Sequence, residues 1–255
     1  MISIKSDDEI KLMREANRIV ASILDKITSM IKPGVSTWEL NQFAGELLNK
    51  NNASAAFNGF TTDGLPPFKF NICASINEEI VHGYSSKEKI LNEGDIIGID
   101  IGAEKNGFYG DSARTYAVGV INDEDKHLMD ITKKALDRAV EQCVEGNRVG
   151  DISSVIENTA KENNLYVADN LTGHGVGRKL HEQPIIFNVG NAGTGPKLRT
   201  GMTIAIEPMF NIGTHKTIEK EWVFYTADNS KSAHFEHTIL INGAKPEILS
   251  KEGVA

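Results

Sequence analysis

GDIIGIDIGAEKNGFYGDSARTY, residues 94–116, reads as a β-hairpin in which Ile96 to Ile101 and Phe108 to Tyr116 flank Glu104-Lys105-Asn106-Gly107. Asn-Gly is the strongest two-residue hairpin signal, because both central positions of the favoured turn need a positive φ. A turn centred on Asn106 and Gly107 pairs Lys105 with Phe108 and therefore sets Asp111 opposite Gly102. Asp100 stands two residues from Gly102, so it lies diagonal to Asp111 on the same face. Asp111 alone would read as a solvated strand residue. Asp100, however, closes the apolar run Ile96-Ile97-Gly98-Ile99, where a buried carboxylate is costly without a cation. The pair therefore points to metal ligation.

Working outward, the pattern G-x-x-I-x-I-acid of Gly94 to Asp100 recurs at Gly201 to Glu207, and a His-Gly pair precedes each copy, His82-Gly83 and His174-Gly175. The helices repeat as well. Ser6 with Glu9 and Ser36 with Glu39 are capping-box signals, predicting helices over about 7–31 and from 37 onward. Helical spacing returns over 123–144 and from Asp151. An offset of 112 places Gly34 on Gly146, Leu40 on Ile152, Phe43 on Val155, Ala44 on Ile156, Leu48 on Ala160 and Asn51-Asn52 on Asn163-Asn164. The chain reads as a diverged duplication, with halves of about 1–118 and 119–250 sharing one sheet in a single α+β domain over 1–255.

Two further acids sit in apolar strand-like runs: Glu207 before Pro208, and Glu236 within HFEHTILI, residues 234–241. Each alone has an edge-strand reading. Together, Asp100, Asp111, Glu207 and Glu236 with one imidazole suit a pair of divalent ions in a water-activating centre. His174 and His181, in the glycine-rich stretch TGHGVGRKLHEQP (172–184), are both placed at that site; His127 is placed on a helix surface, and His215, His234 and His237 carry no signal. Gly190 to Pro196 resembles a phosphate loop but ends in Pro196-Lys197, not the required Lys-Ser/Thr.

Composition sets the frame. The 255 residues are 40% hydrophobic and 24% charged, with 35 acidic against 27 basic side chains and a net charge of −8, which gives no basic surface for nucleic acid. Only Cys73 and Cys143 are present, so no disulfide framework or thiolate zinc site is expected, and a reducing compartment fits. Neither a signal peptide in MISIKSDDEI nor an apolar run of about 18 residues is found. The expectation is a cytoplasmic protein with no membrane or nucleic-acid partner.

The strings FNICASINEEIVHG (70–83), GDIIGIDIGAEKNGFYGDSARTY, LTGHGVGRKLHEQP (171–184), GMTIAIEPMF (201–210) and HFEHTI (234–239) together resemble type I methionine aminopeptidases, in that family's order and over nearly the full length. The resemblance implies a pita-bread fold, two pseudo-symmetric halves sharing a curved antiparallel sheet with helices on its outer face. It implies that Asp100, Asp111, His174, Glu207 and Glu236 hold two divalent ions, among Co, Mn, Fe, Zn and Ni. It further implies that His82, His181 and Glu207 are catalytic, and that Phe68, Cys73, His82, His181 and Trp222 bind substrate, with Phe60 beside them and Leu180 in place of a usual aromatic residue. The implied reaction removes the initiator methionine when the second residue is small. The implied partners are nascent N-termini near the ribosome, met by a monomer. Xaa-Pro peptidases use the same five ligands; the compact length and the Cys73 and Trp222 positions favour the methionine enzymes.

Overall fold

The computed structural model describes residues 2–62 and 64–251; Met1, Asp63 and residues 252–255 of the domain expected over 1–255 lie outside the described residues. The first half runs α1 (Asp7–Ile27), a 3-10 turn (Thr28–Met30), α2 (Thr37–Lys50), β1 (Ser54–Ala55), β2 (Cys73–Ile76), β3 (Glu79–Val81), β4 (Ile96–Lys105) and β5 (Phe108–Ala117). The second runs α3 (Asp123–Glu141), α4 (Val149–Glu162), β6 (Tyr166–Val167), β7 (Thr172–Gly175), β8 (Glu182–Phe187), β9 (Thr203–Ile206) and β10 (Met209–Asn211). It ends with β11 (Thr217–Lys220), β12 (Val223–Thr226), β13 (Ser232–His234), β14 (His237–Leu240) and β15 (Glu247–Ile248).

Both capping boxes form: Ser6 and Ser36 accept from the N–H groups of Glu9 and Glu39, whose carboxylates reach back to the serine N–H groups. Each satisfies helix-end donors that would otherwise lack partners. α4 starts two residues earlier than Asp151 suggests, since the Asp151 carboxylate accepts from the N–H of Arg148, making Arg148 the cap. α1 buries Met13, Val20, Ile23, Leu24 and Ile27 against the first half's strands. Each such side chain contributes ~1.5–3 kcal/mol relative to exposure. Gly110 permits the close approach of α1 to β5, because a Cβ there would lie 2.7 Å from the backbone of Ala16 and Asn17.

The hairpin register is as the sequence requires, with Lys105 facing Phe108, Gly102 facing Asp111 and Asp100 facing Ala113. α2 and α4 are both 14 residues long and start 112 residues apart, at Thr37 and Val149. The preceding glycines share a left-handed backbone, φ 90° at Gly34 and 99° at Gly146, and donate to Leu91 O and Leu198 O respectively. Each helix pair covers its own apolar core, one containing Ile97, Ile99 and Ile101, the other Ile204, Ile206 and Ile239.

The His-Gly pairs are not equivalent, and that expectation is corrected. β2 pairs β4 as β7 pairs β9, and Ser75 opposite Gly98 takes the place that His174 takes opposite Ala205. His82 instead follows β3, in the return arm of its hairpin. A two-residue match is weak in a chain with 23 glycines.

The antiparallel strands form four ladders: β1-β4-β2 with β5 on β4, β13-β10-β6, β11-β12-β3, and β15-β14-β9-β7-β8. The halves meet where β5 runs beside residues 234–238. There the N–H of Glu236 donates to Ala113 O (2.9 Å), and hydroxyls replace the missing rungs: Ser112 to Glu236 O, Thr115 to His234 O and Thr238 to Asp111 O. A regular ladder stops at this seam because, beside the one N–H bond from Glu236, side-chain hydroxyls meet three of the carbonyls in place of N–H groups. Asp111 and Glu236 stand on its two sides.

Candidate metal centre

Five side chains from both halves converge at the seam. Asp100 comes from β4 and Asp111 from β5, on one face of the hairpin; His174 comes from β7; Glu207 follows β9 directly; Glu236 lies between β13 and β14. Ligand atoms of Asp111, His174 and Glu236 lie within 4.8 Å of one another. His174 Nε2 is 3.8 Å from Asp111 Oδ2 and 3.6 Å from Glu207 Oε1.

The proton on His174 is fixed by its other nitrogen. Nδ1 faces Gly175 O at 2.9 Å, and a carbonyl can only accept, so Nδ1 carries the hydrogen and Nε2 turns a lone pair toward the carboxylates. Burial pushes the His174 pKa down to about 3, so the ring is neutral. Burial raises Asp100 to about 7 and Glu207 to about 8. Asp111 and Glu236 stand well above the usual carboxylate range, from burial first and from the neighbouring carboxylates second. Asp100 Oδ1, Asp111 Oδ1 and Glu236 Oε1 are buried without a hydrogen-bond partner. Lone pairs facing lone pairs across 4 Å, with orphaned oxygens around them, are what a divalent cation satisfies; four carboxylates and an imidazole suit Mn, Fe, Co or Zn. The donor set fits a metal.

The residues expected to contact substrate lie in the same cavity, of about 830 Å³, whose wall includes all five of these side chains. Phe57, Phe68, Cys73, Leu180 and Trp222 form one buried apolar cluster, with Phe60 packed on it. Cys73 is opposite Asp100, which sets this cluster beside the carboxylates. Trp222 is held by its Nε1–H donating to Pro66 O at 2.8 Å, and Phe68 meets it edge-on at 5.8 Å. Burial raises the Cys73 thiol well above its usual pKa, so it acts as a small neutral wall element.

His82 has a left-handed backbone, φ 60°, a strained conformation for a non-glycine residue and one that clusters at functional sites. Its Nδ1 donates to Trp222 O at 3.2 Å, leaving Nε2 as an acceptor, and burial lowers its pKa to about 4. His181 stands at the mouth, edge-on to His174 at 4.4 Å and to Phe60 at 5.2 Å; packing around it lowers its pKa. Sequence reasoning missed His234. It is buried, and its orphaned Nε2 lies 3.5 Å from Glu207 Oε2, on the side away from His174. The signal was its place two residues before Glu236. Leu180 lines the wall where the sequence drew attention to it, and Phe57 is a further wall residue whose role the sequence left unread.

Residues 11–243 match metallopeptidase family M24. The chain belongs to that family. An M24 chain of this compact kind is 44% identical to the methionine aminopeptidase of Clostridium acetobutylicum, over 98% of this chain and 99% of that one. It superposes on the crystal structure of methionine aminopeptidase from Thermotoga maritima with a TM-score of 0.95 at 42% identity, covering 99% and 100% of the two chains. The prolidase of Pyrococcus furiosus is similar at a TM-score of 0.79 and 25% identity, and only 65% of that longer chain is covered. The fold is therefore the pita-bread fold of M24, the protein is a metal-dependent hydrolase, and among the described residues no helix is long and apolar enough to cross a membrane.

Proposed function

We propose that this M24 chain is a single-domain methionine aminopeptidase, a cytoplasmic monomer that trims the N-termini of nascent polypeptides near the ribosome when the second residue is small. The observation that carries the reading is the neutral His174 Nε2 facing the Asp111 and Glu207 carboxylates beside an apolar cluster of Phe57, Phe68, Cys73 and Trp222. Two divalent ions are assigned to Asp100, Asp111, His174, Glu207 and Glu236. When bound, they would lower the pKa of a water and polarise the scissile carbonyl.

The chain's own groups do the rest. Glu207 takes the proton from the attacking water and returns it to the departing amine. His82, with Nδ1–H committed to Trp222 O, offers Nε2 as an acceptor for the N–H of the second residue. His181 at the mouth donates to the carbonyl oxygen as negative charge develops there. The apolar cluster receives the methionine side chain, whose flexible thioether makes favourable contacts with aromatic edges.

His181→Ala is the variant that separates these roles. It is expected to lower kcat on Met-Ala-Ser about 100- to 1,000-fold with metal content, measured by elemental analysis, equal to wild type. Metal loss in proportion to activity would make His181 a ligand instead.

A further inference from the structure

β8 is the outermost strand of its sheet, with one edge unpaired, and its residues Gln183 and Ile185 line the catalytic cavity. Among the described residues, eight large apolar side chains are exposed, and three of them, Ile185, Phe187 and Val189, alternate along this one segment at 42%, 53% and 52% exposure. Within β8, Pro184 and Ile186 are buried while Ile185 and Phe187 are exposed, so those two side chains share one face, and Val189 is exposed two residues beyond the strand's end. Isolated exposed apolar residues need no explanation, whereas a contiguous apolar strip with no charge in it does.

The register says which face this is. Ile185 is directly opposite His174, and Phe187 is opposite Thr172, so the strip continues the face that carries the metal-centre histidine. Gln183 and Ile185 themselves line the cavity that holds the apolar cluster at Trp222. An aminopeptidase substrate has its first side chain in the apolar cluster and its first peptide bond at the carboxylates. The rest of its chain must leave the cavity, and next beyond His174 lies Ile185.

We propose that Ile185, Phe187 and Val189 form a docking track for the third to about the sixth residue of the substrate, held extended along the free edge of β8 with apolar side chains on the strip. This rests on the aminopeptidase reading and adds to it a preference for substrate length and for apolar residues beyond the second. Ile185 to Phe187 spans about 7 Å of strand, and Val189, past the strand's end, carries the strip further. The unpaired N–H and C=O groups of an edge strand give the main-chain bonds by which extended peptides are held, and the alternating side chains give selectivity.

The test compares metal-loaded wild type with the double variant Phe187→Ser/Val189→Ser, both positions exposed and outside the cavity wall. The substrates are Met-Ala-Ser, Met-Ala-Ser-Val-Leu-Val and Met-Ala-Ser-Asp-Gly-Asp. The expected kcat/KM for the apolar hexapeptide is about 10-fold above the other two in wild type, and this advantage disappears in the variant while Met-Ala-Ser turnover stays unchanged. Equal kcat/KM for the three peptides, or an advantage that survives in the variant, overturns the track. A wild-type dimer in sedimentation that the variant loses, together with equal peptide turnover, assigns the strip to a second copy of the chain and overturns it too. Absence of any Met-Ala-Ser cleavage by metal-loaded wild type overturns the aminopeptidase reading itself, and is distinguishable for that reason.

Discussion

Replacing Glu207 with Gln is expected to lower kcat on Met-Ala-Ser by at least ~100-fold, the usual scale for losing an acid-base group. The substitution keeps the size of the side chain and one of its oxygens. It removes the negative charge of the carboxylate and with it the capacity to accept and return a proton, so metal content is measured alongside turnover. Glu207 is placed for that task by contacts on both sides: His174 Nε2 is 3.6 Å from Oε1 and His234 Nε2 is 3.5 Å from Oε2. Its main chain is held as well, with Asn188 Nδ2 donating to Glu207 O at 2.9 Å. KM is expected to change little, because the apolar cluster that receives the first side chain is untouched. Turnover of Glu207→Gln at the wild-type rate would remove Glu207 from the proton path.

The metal-free protein is expected to lose thermal stability between about pH 6.5 and 8, and divalent metal is expected to restore it. Burial lifts Asp100 from 3.8 to about 7 and Glu207 from 4.5 to about 8, and lifts Asp111 and Glu236 well above the ordinary range. Between the unfolded and folded values of such a group the folded state binds more protons, so stability falls as pH rises. The histidines act oppositely. His174, His82 and His234 are lowered from 6.5 to about 3, 4 and 4 by burial, so below pH 6.5 the unfolded state binds more protons and stability rises with pH. The two sets offset one another up to pH 6.5, above which the carboxylates act alone. The loss is of order a few kcal/mol, at ~1.4 kcal/mol for each pKa unit. Manganese at pH 8 neutralises the carboxylates without protons, and by binding only the folded state it raises Tm. Calorimetry at pH 6.5 and 8, with chelator and then with Mn, reads both effects. A Tm in chelator that does not fall between those pH values, or one that Mn leaves unchanged at pH 8, contradicts this electrostatic account.

The parts of the molecule legible in its sequence are those with local causes. Asn106-Gly107 dictates a turn, the turn dictates the register, and the register puts Asp100 and Asp111 on one face. Ser6/Glu9 and Ser36/Glu39 start two helices through bonds three residues apart. The start of α4 was less legible because Arg148 is not a usual cap, and only its partner Asp151 carries a signal. The seam was not legible. Ser112, Thr115 and Thr238 bond to carbonyls 119 to 127 residues away, and a strand hydroxyl has no local pattern that says so. His234 was passed over for the same reason: its meaning comes from Glu207, which folding brings beside it.

One reconstitution assay tests the central claim, that the carboxylate and imidazole cluster is a metal centre serving methionine removal. Protein stripped with chelator is incubated with Met-Ala-Ser, Leu-Ala-Ser and Ala-Pro-Ala, before and after addition of Mn, Co or Fe, and the released amino acids are quantified. The account predicts no release from the stripped protein, and free methionine from Met-Ala-Ser after metal addition, with Leu-Ala-Ser slower and Ala-Pro-Ala uncleaved. Full activity in the stripped protein, Leu-Ala-Ser cleaved as fast as Met-Ala-Ser, or release of alanine from Ala-Pro-Ala would contradict it.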